Sequence, residues 1–259
     1  MTYQIARIRR EIVRAALRGC RSPLAPHRTS VRAERKMYEA VTTLTRPVEG
    51  LQWQRGVLGG APVQRTVGVC ANATLVYLHG GAYGRGSAYG YRGVVGRLAE
   101  AAWMAAVLPD YSLAPEAAAL DEMVEVYTAL LADGTDPQTT VIAGDSAGGG
   151  LALALAITLR DRGIDLPAAL GLIRPSMTSA VSALCGDFTG LPPIVLQSAG
   201  EDSLVEKIAS VATVVERQRL DGLWHDIHLH AGVLAEADCA LAELGARLRA
   251  HAQGRVETT

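Results

Sequence analysis

A chain of 259 residues, 49% hydrophobic and 20% charged, with a formal net charge of −1, is long enough to bury one substantial core holding about three quarters of its unfolded surface. The balanced charge, with no basic patch interleaved with aromatics, gives no electrostatic reason to expect nucleic acid as a partner. Cys20, Cys70, Cys185 and Cys239 lack paired spacing, which argues against a disulfide framework, and no apolar run reaches membrane-spanning length. A cytoplasmic protein without stable membrane association is expected.

The opening residues place apolar side chains at 5, 8, 12, 13, 16 and 17 on an arginine-rich ground, an amphipathic helical stripe without the apolar core of a signal peptide. A second helix is predicted near Val31 to Leu44, ahead of Pro47, and the alternation from Leu51 to Val69 reads as a hairpin. An apolar strand, Ala73 to Leu78, then runs straight into His79-Gly80-Gly81-Ala82-Tyr83. Helices are expected at about Tyr91 to Ala102 and Ala118 to Ala132, with a strand near Ala105 to Leu108 between them. A strand at Val141 leads into Gly144-Asp145-Ser146-Ala147-Gly148, and Leu151 to Ile157 reads as the helix after it. Strands follow at Ala168 to Ile173 and, started by prolines, at Leu191 to Gly200. Between them lie only 17 residues. A helix is expected over Val205 to Arg217, which leaves Glu216 to Asp221 almost no room for a further strand, and Ala231 to Arg249 has helical spacing. Strands alternating with helices indicate an α/β fold built on a parallel sheet.

Two of these turns carry chemistry. A serine within GxSxG, after an apolar strand and before a helix, is the signature of a nucleophile elbow, a sharp turn that pushes the hydroxyl clear of the backbone. Ser146 is the candidate nucleophile, and Gly144 and Gly148 leave room for the close chain approach such a turn demands. Attack on a carbonyl puts negative charge on oxygen, which fixed main-chain N–H groups stabilise by several kcal/mol. The glycine turn after Leu78 and the Ala147 N–H, at a helix start where the dipole also favours negative charge, are the candidate donors.

His79-Gly80-Gly81-Ala82, Asp110-Tyr-Ser-Leu-Ala-Pro-Glu116 and Gly144-Asp-Ser-Ala-Gly-Gly149 together resemble the hormone-sensitive-lipase-like family of α/β-hydrolase esterases, the bacterial family IV esterases. The likeness is densest from Ala73 to Leu172, resumes from Gly190 to Glu206 and returns from Gly222 onward. It implies an eight-stranded, mostly parallel sheet flanked by helices, with helices of residues 1–48 forming a partial cap over a catalytic domain at 49–259. It also implies hydrolysis of small carboxylic esters with no cofactor or metal. The oxyanion donors become Gly81, Ala82 and Ala147, with His79 and Gly80 bracing the loop. Alanine in place of the usual third glycine costs little if its backbone angles remain allowed.

A serine needs a histidine base and a carboxylate to orient it, in the chain order Ser, Asp, His for this fold. The stretch Glu201-Asp202-Ser-Leu-Val-Glu206 resembles the acid loop of the family, with Asp202 at the acid position and Glu201 one residue away as the fallback. Gly222-Leu-Trp-His225 resembles the turn that ends in the catalytic histidine. His228 and His230 are expected at the pocket mouth or surface. With His225 they form a His-x-x-His-x-His pattern that can also bind metal, although no metal is expected here. The chain departs from the family after Glu116, between Ile173 and Leu191, and before Gly222. The resulting expectation is a serine carboxylesterase for short acyl chains working through an acyl-enzyme, with a homodimer left as an open option. The alternatives are a non-catalytic relative that binds a small ligand, or a lactone or amide hydrolase using the same triad.

Overall fold

Apolar residues dominate Thr74–Leu78, Thr140–Asp145, Ala169–Ile173 and Ile194–Ser198, the pattern of parallel strands covered on both faces. The computed structural model describes residues 30–43, 45–113, 115–176, 187–198 and 215–253, together with 11 and 208. In it these segments are β3, β5, β6 and β7 of an eight-stranded sheet. Gln52–Leu58 (β1), Ala61–Val67 (β2), Ala105–Pro109 (β4) and Val215–Arg219 (β8) complete it in the order β1-β2-β4-β3-β5-β6-β7-β8. Only the β1–β2 and β2–β4 pairings are antiparallel. The β1–β2 hairpin closes on Gly59-Gly60, both at positive φ (+55° and +82°), as a two-residue turn matched to the strand twist requires.

Val31–Thr42 forms α1, and four longer helices cover the sheet: Ala88–Ala102 (α2), Glu116–Ala132 (α3), Ser146–Asp161 (α4) and Ala235–Ala252 (α5). α3 and α4 bury Met123, Tyr127, Leu151 and Leu155 in one apolar cluster with Val76, Ile142 and Leu196. α2 and α5 bury Val94, Leu98, Leu241 and Leu244 in a second cluster with Leu75, Tyr77 and Val195 on the opposite face. None of the described helices is long and apolar enough to cross a membrane. Cys70 and Cys239 are free thiols, while Cys20, Cys185 and the predicted first helix lie outside the described residues.

The structure corrects the reading of the last strand. Residues 215–219, expected to end a helix and leave the strand position nearly vacant, form β8 in full parallel register with β7, from Ile194 against Val215 to Ser198 against Arg219. Their polar character comes from their neighbours. Glu216 meets Arg247 and His251 of α5, each at 2.9 Å, and the Gln218 amide donates to Glu243. Pairing with β7 outweighs local helical preference, and charged side chains suit a strand at the sheet edge. The Leu220 N–H continues the ladder by donating to the Ser198 carbonyl at 2.7 Å, so the histidine loop springs from a supported strand. A 3₁₀ turn, Ile227–His230, precedes α5, which begins at Ala235 rather than Ala231.

A Cβ added to Gly148 would lie 2.1 Å from the Leu78 carbonyl oxygen and 2.5 Å from that of His79, both backbone atoms that cannot move aside. Gly148→Ala should lower stability by about 3 kcal/mol or more. Gly56→Ala in β1, where the nearest atom is 3.7 Å away, should be neutral or slightly stabilising. Urea unfolding of the two variants checks this.

Candidate active site

The sharp turn from β5 into α4 places Ser146 at φ +49°, a left-handed conformation that costs a non-glycine residue about 1–2 kcal/mol and persists only where the surroundings over-determine it. Those surroundings are tight. A Cβ on Gly144 would meet the Gly148 carbonyl oxygen at 2.5 Å, and Gly148 abuts the end of β3. On the other side the chain leaving β6 wraps the turn. Arg174 stands at φ +42°, and the Ser176 N–H donates to the Ser146 carbonyl at 2.8 Å. The Ser176 hydroxyl lies 3.3 Å from the Ser146 hydroxyl.

The loop after β3 faces this turn. Gly81, Ala82 and Tyr83 all take positive φ (+128°, +53° and +52°), and the N–H groups of Gly84 and Arg85 close on the Gly81 carbonyl. Alanine at position 82 therefore sits in the left-handed region, at a cost of about 1–2 kcal/mol. The bracing is dense. His79 is fully buried, its Nδ1 donates to the Gly80 carbonyl at 2.9 Å, and its ring stacks on Tyr111 at 4.5 Å. The Tyr83 hydroxyl donates to the Ala147 carbonyl at 3.2 Å, joining the loop to the serine turn. From α1, Arg35 Nε donates to the Gly84 carbonyl at 2.8 Å and Glu39 accepts from the Ser87 hydroxyl at 2.6 Å.

His225 is half-buried beyond the end of β8, with Nε2 3.7 Å from Asp226 Oδ1. Burial pushes its pKa below the ordinary histidine value. Arg174 and His228 add to that effect, while Asp226 and Asp145 oppose it. The influence of Arg174 and Asp145 puts His225 in the electrostatic neighbourhood of the serine turn. Among the described residues the Ser146 hydroxyl bonds to Ser176 and the ion-pair contact of His225 is with Asp226, so the two are not joined by a hydrogen bond. Catalytic hydrogen bonds commonly tighten only when substrate is present. Asp202 and Glu201 lie outside the described residues.

His228 and His230, expected at the pocket mouth or surface, are instead buried, at 1% and 5% exposure. The 3₁₀ turn directs both rings inward: His228 to Asp145, His230 to Trp224 at 5.5 Å between ring centroids. No three His, Cys, Asp or Glu side chains among the described residues are grouped as a metal would need. Sequence reasoning also passed over Asp145 itself, fully buried at the end of an apolar strand. The available signal was a carboxylate where both faces must be covered, which requires hydrogen-bond donors around it.

His230 carries a stability consequence. Burial, then the charge on His228, lower its pKa to about 4, against the opposing pull of Asp226, while the unfolded chain has a value of about 6.5. Below pH 6.5 the unfolded state takes up the proton first, so this residue costs stability progressively as pH falls toward 4, by roughly 2–3 kcal/mol. His230→Phe should flatten that loss, read as the difference in unfolding free energy between pH 7 and pH 4.5.

Comparison with known proteins agrees with this architecture. Residues 75–183 match the family model described as alpha/beta hydrolase fold. The chain is 44% identical to the putative acetyl-hydrolase LipR of Mycobacterium tuberculosis, covering 94% of this chain and 95% of that protein. That alignment runs over 293 positions, more than the 259 residues present here, so this chain is gapped relative to its relative, in keeping with its short connections. It is 31% identical to an acetyl-hydrolase of Streptomyces hygroscopicus, over 68% of this chain and 75% of that one. Among solved structures, an esterase from the bacterial hormone-sensitive lipase family superposes with a TM-score of 0.77 at 28% identity, covering 88% of this chain and 94% of that one. The esterase EstE5, soaked with p-nitrophenyl butyrate, superposes with a TM-score of 0.80 at 25% identity, covering 97% and 98%. The chain belongs to the hormone-sensitive-lipase-like family of α/β-hydrolase-fold proteins.

Proposed function

We propose that this protein is a serine carboxylesterase acting on short-chain carboxylic esters. The observation that carries the reading is Ser146 held at φ +49° on the β5–α4 turn, directly beside a braced loop of positive-φ residues at 81–83. That arrangement supports a hydroxyl beside a loop whose main-chain N–H groups could serve as donors. In the proposed mechanism His225 removes the Ser146 proton as Ser146 attacks the ester carbonyl. Asp202 orients the imidazole, and the N–H groups of Gly81, Ala82 and Ala147 take the charge developing on oxygen. The alcohol leaves with the proton from His225, and water then hydrolyses the acyl-enzyme by the same route. Relatives named as acetyl-hydrolases and one soaked with a butyrate ester support short acyl chains. In this reading residues 1–48 form the cap and 49–259 the catalytic domain, and α1 within the cap helps to fix the oxyanion loop.

Ser146→Ala should abolish hydrolysis of p-nitrophenyl acetate and butyrate, by a factor on the order of 10⁴ or more, and should prevent labelling by a fluorophosphonate. Equal rates for the two proteins would reject the assignment, and an unlabelled wild-type serine would favour the ligand-binding relative. The base must be neutral to act, and the His225 pKa is lowered. The acid limb of kcat/KM should therefore fall below the ordinary histidine value of about 6.5. Asp226 raises that pKa, so Asp226→Asn should move the limb further toward acid in a pH–rate profile.

A further inference from the structure

Asp145 has no solvent exposure, and an unpaired carboxylate there would be costly. Its Oδ1 accepts from the Gly80 N–H at 2.8 Å and the Tyr77 hydroxyl at 3.0 Å. Its Oδ2 accepts from the Tyr91 hydroxyl at 3.0 Å and lies 3.3 Å from Nε2 of His228. The last contact is close enough for strong attraction but poorly aligned as a hydrogen bond, since Nε2 counts no well-formed partner. Burial alone raises the Asp145 carboxyl pKa. The nearby His228 and the hydrogen bonds from Tyr77 and Tyr91 outweigh that and leave it below its ordinary value.

Solvation of a buried charge would need only donors, whatever their origin. Here two of the four partners, Gly80 and His228, come from separate segments on which the chemistry depends. Asp145 immediately precedes Ser146, Gly80 immediately precedes Gly81, and His228 is three residues beyond His225 on the 3₁₀ turn. We propose that Asp145 and His228 form a positioning pair that holds the oxyanion loop and the histidine loop in register with the nucleophile turn. His228 is suited to this role and has little else to do. It is buried at 1% exposure, and among the described residues its Nδ1 has no partner. The loop it steadies through Asp145 contains three successive positive-φ residues, a conformation that relaxes unless its surroundings hold it. The pair acts through Ser146, His225 and the main-chain donors and does not touch substrate.

This proposal rests on the esterase reading of the same site, so its test includes a readout independent of turnover. Amide hydrogen exchange across residues 79–86, and kcat and KM for p-nitrophenyl acetate, are measured for the wild type, His228→Leu and His228→Gln. The leucine variant should lose protection in 79–86 while α3 and α4 stay protected. Its kcat should fall on the order of a hundredfold, the scale of a misplacement of about 1 Å, with KM nearly unchanged. Glutamine, which keeps a donor of similar reach, should recover most of both losses. Unchanged exchange and kcat in the leucine variant, or a loss of protection spread evenly over the sheet, overturns the pairing. If the leucine variant does not fold, His228→Asn replaces it. Asparagine is too short to reach Asp145, so exchange and kcat equal to those of the glutamine variant would overturn the proposal. A wild type that neither turns over ester nor labels at Ser146 would sink the esterase reading alone, and the exchange data would still decide whether the pair holds the loop.

Discussion

The serine-bearing edge of the sheet depends on how closely the first turn of α4 approaches the end of β3. Gly144 and Gly148 present no side chain where the Leu78 and His79 carbonyls pass, and backbone meets backbone at a separation that no larger residue permits. That approach seats Ser146 against the loop following β3 and lets Tyr83 reach the Ala147 carbonyl. It also lets Gly80 reach the Asp145 carboxylate. Without it the two glycine turns would remain separate surface features on neighbouring strands.

The parts of this architecture legible in sequence were those with a strong local grammar. Uninterrupted apolar runs marked β3, β5, β6 and β7, and the GxSxG frame located the serine turn to the residue. The hairpin from Leu51 to Val69 and the flanking helices likewise announced themselves through periodicity. The illegible parts owe their form to distant partners. β8 reads as helix because Glu216, Arg217, Gln218 and Arg219 are chosen to suit α5 and the water beyond an edge, and nothing within five residues reveals β7 beside them. His228 and His230 read as surface histidines for the same reason. The carboxylate and the ring that make their burial tolerable come from β5 and from Trp224. Sequence located the serine and the glycine loop by motif, whereas the assignment of His225 and Asp202 came through family likeness.

The supported last strand changes how the histidine loop is understood. With Leu220 paired to Ser198, the turn at Asp221 and Gly222 starts from a fixed point, and Thr45 and Arg46 tie the far side of the loop through bonds to Leu229 and Ala231. A loop anchored at both ends can carry a half-buried imidazole whose pKa is lowered by burial and adjusted by Asp226, Arg174, His228 and Asp145. Shortened connections elsewhere in the chain leave this scaffold intact, because the sheet pairs are complete from β1 to β8.

Among the described residues five non-glycine residues take left-handed backbone angles, and four of them, Ala82, Tyr83, Ser146 and Arg174, cluster at the carboxyl ends of β3, β5 and β6. At about 1–2 kcal/mol each, that corner draws off a sum comparable with the whole net stability of an ordinary domain. Two apolar layers, one on either side of the sheet, must therefore supply a surplus that has no use in the layers themselves. Relaxing any of the four angles would make a sturdier protein, at the corner that carries Ser146.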